Sequence, residues 1–142
     1  MISNTYATKI LNVICGVKDE LNLPSKLYLG LSSSEPSATG TVSGEPSAPS
    51  YGRTIVGGTT EDSMFGNAYN GVISNNKEIH FMTARTSWGT MKYFFLSDSL
   101  TGAAILWGDL MNKDGTNGVT IGEETVPVFY EGDLKASLDV AL

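Results

Sequence analysis

Apolar positions crowd most densely between residues 86 and 110, and the reading of the chain starts there. Residues 88–96 and 103–110 are two runs rich in aromatic and aliphatic side chains, separated by the turn-forming Ser97-Asp98-Ser99-Leu100-Thr101-Gly102. The pattern predicts a β-hairpin. Side chains alternate between the faces of a strand, so Met91, Tyr93 and Phe95 share one face and Lys92, Phe94 and Leu96 the other. Neither face is polar enough for water, which predicts a central strand covered on both sides. In the second run Ile105 and Trp107 alternate with Ala104 and Leu106, again without a polar face. Trp88, Phe94, Leu96, Ile105 and Trp107 are therefore expected in the core. Gly108 lets the chain bend or approach a neighbour closely.

Away from the hairpin the periodicity changes. Over residues 3–21, Tyr6, Ile10, Val13, Ile14 and Val17 recur at three- and four-residue spacing, which predicts one amphipathic helix capped by Ser3 or Asn4. Gly16 weakens it, so the helix is expected to stop there and resume briefly through 18–21, and Pro24 forbids continuation. Its stripe is expected to pack on the sheet, with docking on a neighbouring subunit as the alternative. Strand patterns follow at 26–31, 51–56, 72–74, 77–82, 119–121 and 125–129, where Pro127 suits an edge. The chain closes on 134–142, in which Leu134, Ala136, Leu138, Val140 and Leu142 alternate with polar or small residues. Some seven or eight short strands after one helix predict a mainly β fold, an antiparallel β-sandwich of short strands, as one domain over 1–142. There is no internal repeat.

Between the first two strands lies SSSEPSATGTVSGEPSAPS, residues 32–50, with three prolines, seven serines and almost nothing to bury. A 19-residue stretch without structure is uncommon inside a compact domain. It is expected to be a loose arm, mobile in the isolated subunit and ordered on assembly.

Composition narrows the function classes. The chain is 41% hydrophobic and 17% charged, as in a folded domain and unlike a disordered one. Its net charge of −6 argues against nucleic acid and against an anionic membrane surface, both of which recruit basic proteins. The N-terminal stretch is not patterned as a signal peptide, and no run reaches the roughly 20 apolar residues of a membrane helix. Use without export is expected. Cys15 is the single cysteine, excluding an intrachain disulfide, and is expected to be a small buried hydrophobe.

Reactive chemistry is sparse. His80 is the single histidine and reads as a half-exposed strand residue. One Cys and one His are too few for a zinc site. Asn112, Asp114 and Asn117 offer oxygens in a turn but do not match a calcium loop. Glu123-Glu124 and Glu131/Asp133 read as solvated turn acids rather than a glycosidase pair. No catalytic residue, cofactor or metal is expected.

Three stretches carry a family likeness: KLYLGLSSSEPSATG (26–40), TARTSWGTMKYFFLSDSLTGAAILWGDL (83–110) and VTIGEETVPVFYEGDLKASL (119–138). Within them stand Ser87-Trp88-Gly89-Thr90, Asp98-x-x-Thr101-Gly102 and Gly132-Asp133-Leu134, and Ser50-Tyr51-Gly52-Arg53 follows the loose segment. In these motifs and their order the chain resembles a family of small virion structural proteins of tailed bacteriophages, often labelled tail-fibre proteins. The resemblance implies a virion protein, made in the host cytoplasm, that binds other virion proteins of the capsid or tail. The sequence shows neither long repeats nor coiled-coil heptads, so a capsid decoration protein binding in many copies is the first expectation. A tail-fibre or baseplate component contacting the host surface is the alternative. A carbohydrate-binding module, with Trp88 or Trp107 stacked on a sugar, is the second. A homo-oligomer is expected, and a trimer would match threefold positions of a shell. Its contacts are expected on the arm (Ser34, Pro36, Pro46, Pro49), on Tyr51 and Arg53 beyond it, and on Tyr6 near the start of the chain.

Overall fold

The computed structural model describes residues 1–137. The expected hairpin is present as antiparallel strands β6 (Tyr93–Ser97) and β7 (Ala104–Asp109). With β1 (Leu27–Ser32) and β2 (Thr54–Gly57) they form a four-stranded antiparallel sheet in the order β2-β1-β6-β7. Residues 1–3 extend it beyond β7: Ser3 N donates to Ile105 O and Trp107 N to Met1 O, each at 2.8 Å. The side chains of β6 alternate across the sheet. Phe94 and Leu96 join Leu29, Leu31 and Val56 in one core cluster, while Phe95 lies with Ala104 and Trp107 in a second. Phe95 is seated over Gly30, where any side chain would run into its ring.

A second layer covers the first cluster. Here β4 (Ile79–His80) pairs with β9 (Val128–Phe129), and β5 (Gly89–Met91) pairs with β8 (Val119–Ile121). An Ala84–Thr125 bridge links the two pairs into one irregular antiparallel ribbon. Its inward side chains, among them Ile79, Phe81, Trp88, Met91, Ile121 and Phe129, pack on Leu29, Leu31, Phe94 and Leu96. A third pair, β3 (Val72–Ser74) with β10 (Lys135–Ser137), is tied in by buried Asn75. The Asn75 amide donates to Lys77 O and Tyr130 O and accepts from Leu134 N at 2.8–2.9 Å. The fold is mainly β and antiparallel, in a sandwich arrangement with one short N-terminal helix.

Several expected elements change. The run over 88–96 is broken at Lys92, whose N–H donates to Ser32 O and whose carbonyl accepts from Leu110 N. The chain leaves the ribbon there for the sheet, and its alternation restarts. Met91 therefore shares the core with Phe94 and Leu96 rather than a face with Tyr93 and Phe95. The strand expected over 77–82 shrinks to two residues, and that over 125–129 to Val128–Phe129. In the closing strand Leu134 is buried and Ala136 half-buried, whereas Leu138, Val140 and Leu142 lie outside the described residues.

The helix, α1 (Asn4–Ile14), is shorter than expected. Ser3 caps it, accepting from Tyr6 N at 3.4 Å. Gly16 at φ +70° ends it: Val17 N donates to Asn12 O and Gly16 N to Val13 O, a Schellman closure that leaves no helix at 18–21. None of its residues is fully buried; of the expected stripe Tyr6 and Ile10 are half-buried, whereas Ile14 and Val17 are exposed, so only its first part packs on the body. Cys15, expected inside, is exposed, at the end of a helix none of whose residues is fully buried.

Residues 33–50 contain neither helix nor strand, as their composition predicts, but they are laid against the sheet rather than held away as an arm. They cover the face that carries Phe95 and Trp107. Val42 packs on that cluster, Pro36 is buried, and Trp107 Nε1 donates to Glu35 Oε1 at 3.3 Å. Ala104 N donates to Gly40 O at 2.7 Å, an approach so close that a side chain at Gly40 would collide with the Ala104 carbonyl. The segment needs few hydrophobes of its own because the sheet provides them.

Candidate assembly surfaces

Arg53 sits at the centre of the polar network that fastens this cover. Its side chain is 2% exposed and grips Glu45 with two parallel bonds, Nε to Oε1 and Nη2 to Oε2, each 2.9 Å. The third nitrogen, Nη1, donates to Ser97 Oγ (3.0 Å), Ser99 O (2.8 Å) and Gly102 O (2.9 Å), closing the β6–β7 turn. The guanidinium lies over the Phe95 ring at 4.7 Å. Tyr51 completes the group, donating its hydroxyl to Glu45 Oε1 at 2.8 Å and accepting from Leu31 N at 3.1 Å.

Burial pushes the Tyr51 phenol well above its ordinary pKa; the Leu31 N–H opposes this, and the Glu45 carboxylate adds to it. A phenol harder to ionise in the folded protein contributes stability that is complete below the unfolded value of about 10 and is lost as pH rises beyond it. The expected result is a fall in unfolding free energy above about pH 10, approaching about 1.4 kcal/mol per pH unit. Tyr51→Phe should flatten that limb. Denaturation curves of both proteins between pH 8 and about 12 check it, and identical slopes would show that Tyr51 ionises freely.

The motifs spread along the sequence meet at this network. Ser50 Oγ accepts from Trp88 Nε1 and from Arg85 N, both at 3.2 Å, and the Tyr51 and Trp88 rings meet edge to face at 5.2 Å. Ser50 to Arg53, Ser87 to Thr90 and Asp98 to Gly102 are thus parts of one scaffold. This corrects the expected contact set. Arg53 and Pro36 are buried, and Tyr51 is half-buried with its hydroxyl engaged inside the subunit. Ser34 and Pro49 are exposed and Pro46 is half-buried. Tyr6, in the first turn of α1, is half-buried, with its hydroxyl 3.4 Å from Asp98; burial and that carboxylate raise its pKa. Trp88 and Trp107 are 5% and 4% exposed, so neither offers a ring face to a sugar.

The remaining candidates stay apart. His80 is exposed, with Nε2 3.1 Å from Glu78 Oε2. Asn112 Oδ1 accepts from Lys113 N at 2.7 Å, and Asp114 Oδ1 from Thr116 N and Oγ1 at 2.9 and 2.6 Å. The Thr116 bonds lower the Asp114 pKa, the mark of a self-satisfied turn. No group of three metal-ligating side chains occurs among the described residues, and no helix there is long and apolar enough to cross a membrane.

Two surfaces were not singled out by motif. One is an open cleft of about 470 Å³ between the end of β7 and the β8–β9 ribbon. Leu31, Phe94, Ile121 and Phe129 line it, with Met111 and Tyr130 half-exposed beside them. The other is the outer side of α1, where Leu11, Ile14 and Val17 are 60%, 74% and 67% exposed.

Comparison with known families matches the chain to the Gp80 family, described as podophage GP4 fiber I protein gp80, over residues 1–137. The match includes α1 and the 57–75 region, which carried little of the motif likeness. Comparison with curated proteins finds no match.

Proposed function

The chain belongs to the Gp80 family of podophage fibre proteins, and on that premise we propose that it serves as a subunit of a fibre on the virion. It is a phage structural protein. The observation that carries the fibre reading is the family match over residues 1–137. Head decoration, the first expectation from sequence, rested on the lack of repeats and heptads, and the family description names a fibre instead. The residues support a role in binding rather than chemistry: the conspicuous polar side chains, Arg53, Glu45, Tyr51 and Asn75, are occupied in holding the fold. On this reading the subunit works in several copies alongside other virion proteins and catalyses nothing, so His80→Ala leaves infectivity unchanged.

Gold-labelled antibody against the purified chain, applied to intact particles, tests the placement. Label on the fibres is the expected result. Label confined to the head shell would overturn the fibre reading.

A further inference from the structure

We propose that Asn70 is a site of spontaneous deamidation, and that its conversion to isoaspartate unlatches the hairpin that joins residues 65–69 to β3. The chemistry needs only this chain and water, so it is independent of where the protein sits on the particle.

The reaction requires an asparagine followed by a residue whose backbone nitrogen can reach it. That nitrogen loses its proton to hydroxide and attacks the side-chain carbonyl carbon, Cγ. The Cγ–Nδ2 bond breaks, and ammonia leaves with a proton taken from water. Water then opens the five-membered imide at either carbonyl, giving aspartate or isoaspartate, whose backbone runs through the former side chain. A side chain on the following residue obstructs ring closure, so glycine is the favourable successor. The chain has two Asn-Gly pairs, at 70–71 and 117–118, and both are followed by valine. Local sequence therefore gives them the same intrinsic reactivity. Asp114-Gly115 can close the same imide with loss of water.

The fold separates these sites. Asn117 Nδ2 donates to Lys92 O at 3.1 Å and to Leu110 O at 3.4 Å, while buried Gly118 donates its N–H to Leu110 O at 2.8 Å. Amide and attacking nitrogen are both held. Asp114 is held likewise: its Oδ1 accepts twice from Thr116, and Gly115 N donates to Asn112 O at 2.9 Å. At the third site, neither the Asn70 side chain nor the Gly71 N–H has a hydrogen-bond partner among the described residues, and both residues are exposed. An N–H that donates to no carbonyl yields its proton to hydroxide more readily.

Asn70 and Gly71 are the two central residues of a tight turn. Tyr69 and Val72 exchange both backbone bonds, at 2.8 and 3.0 Å, and the residues between them stand at φ +50° and +75°, as a type I′ turn demands. Cyclisation requires Asn70 to rotate out of this geometry. The tip allows that by fraying, because Tyr69 is 79% and Val72 42% exposed and little packing holds them. Isoaspartate does not fit back: it adds a backbone carbon to a loop whose geometry is set by two residues. The Tyr69–Val72 bonds are then lost at the end of β3, whose other edge pairs there with Ser137 of β10. The change also adds a negative charge to a chain already at −6.

Peptide mass spectrometry of the full chain, aged at mildly alkaline pH, tests the site. In the folded protein Asn70 is expected to convert several times faster than Asn117, and in urea the two should convert at similar rates. Equal rates in the folded protein, or an Asn70 that stays intact until urea is added, would overturn the proposal. A preference for Asn70 that persists in urea would also overturn it, since sequence and not fold would then set the difference. Amide hydrogen exchange tests the unlatching. The aged wild type should exchange faster at Tyr69 and Val72, whereas Asn70→Gly, which suits the same turn and cannot form the imide, should age without that change. Unchanged exchange in the converted wild type, or equal loosening of the aged Asn70→Gly variant, would show that the hairpin is not unlatched by this chemistry.

Discussion

Arg53→Ala is expected to destabilise the protein by about 3 kcal/mol, the lower end of the range for breaking a buried ion pair. Three losses combine. The Glu45 carboxylate is stranded, the Ser99 and Gly102 carbonyls lose their donor, and Phe95 loses the plane above its ring. The lower end applies because the Glu45 side chain is 25% exposed and can turn to water. Arg53→Lys should recover less than half of the loss, since one ammonium cannot hold a carboxylate by two parallel bonds and close a turn at once. Urea denaturation of the two variants measures this. A cost below about 1 kcal/mol for the alanine variant would mean that the pair contributes no more than an exposed one. Because Glu45 lies within 32–50, the same substitution should loosen that segment, which amide hydrogen exchange would register first.

Phe94→Ala is expected to cost about 3–5 kcal/mol, the usual range for removing a buried aromatic ring. Phe94 is 8% exposed and bridges the two layers: its ring meets Phe129 edge to face at 6.4 Å, and it lies across Gly108, where a side chain would touch it. No neighbour can collapse into the space easily, because Phe129 is itself held against Phe81 in the ribbon and Leu31 by the sheet. The ring also forms part of the wall of the open cleft, which the truncation would deepen. Equilibrium unfolding in urea reports the difference, and a loss under about 1 kcal/mol would place the ring at the surface rather than between layers.

Deletion of residues 33–48, which a loose arm would tolerate without unfolding, is expected to destabilise the subunit. It would uncover Phe95 and Trp107 and remove Glu45 from Arg53. The sequence pointed to an arm because Ser, Pro and Gly bury little area. The structure shows that a cover can be made of backbone bonds, one valine, one buried proline and two carboxylates when the apolar surface lies on the other side of the contact.

What the sequence determined by itself was the part of the fold dictated by local periodicity. The two-faced apolar runs at 88–96 and 103–110 call for a central hairpin, and the turn between them is written in its residues; the hairpin is there at 93–97 and 104–109. The stripe from Tyr6 to Val17 marks a helix, and Gly16 marks its end. Only the tertiary structure decided what covers each apolar face, because periodicity states that a face needs cover without naming the cover. It assigned residues 33–50 to the second face of the sheet and left the far end of α1 exposed. It also moved Arg53 from the expected contact surface into the core, through a partner eight residues away. The break at Lys92 was hidden for the same reason: the chain changes sheets where its own pattern continues, and pairing with Ser32 and Leu110 sets the phase.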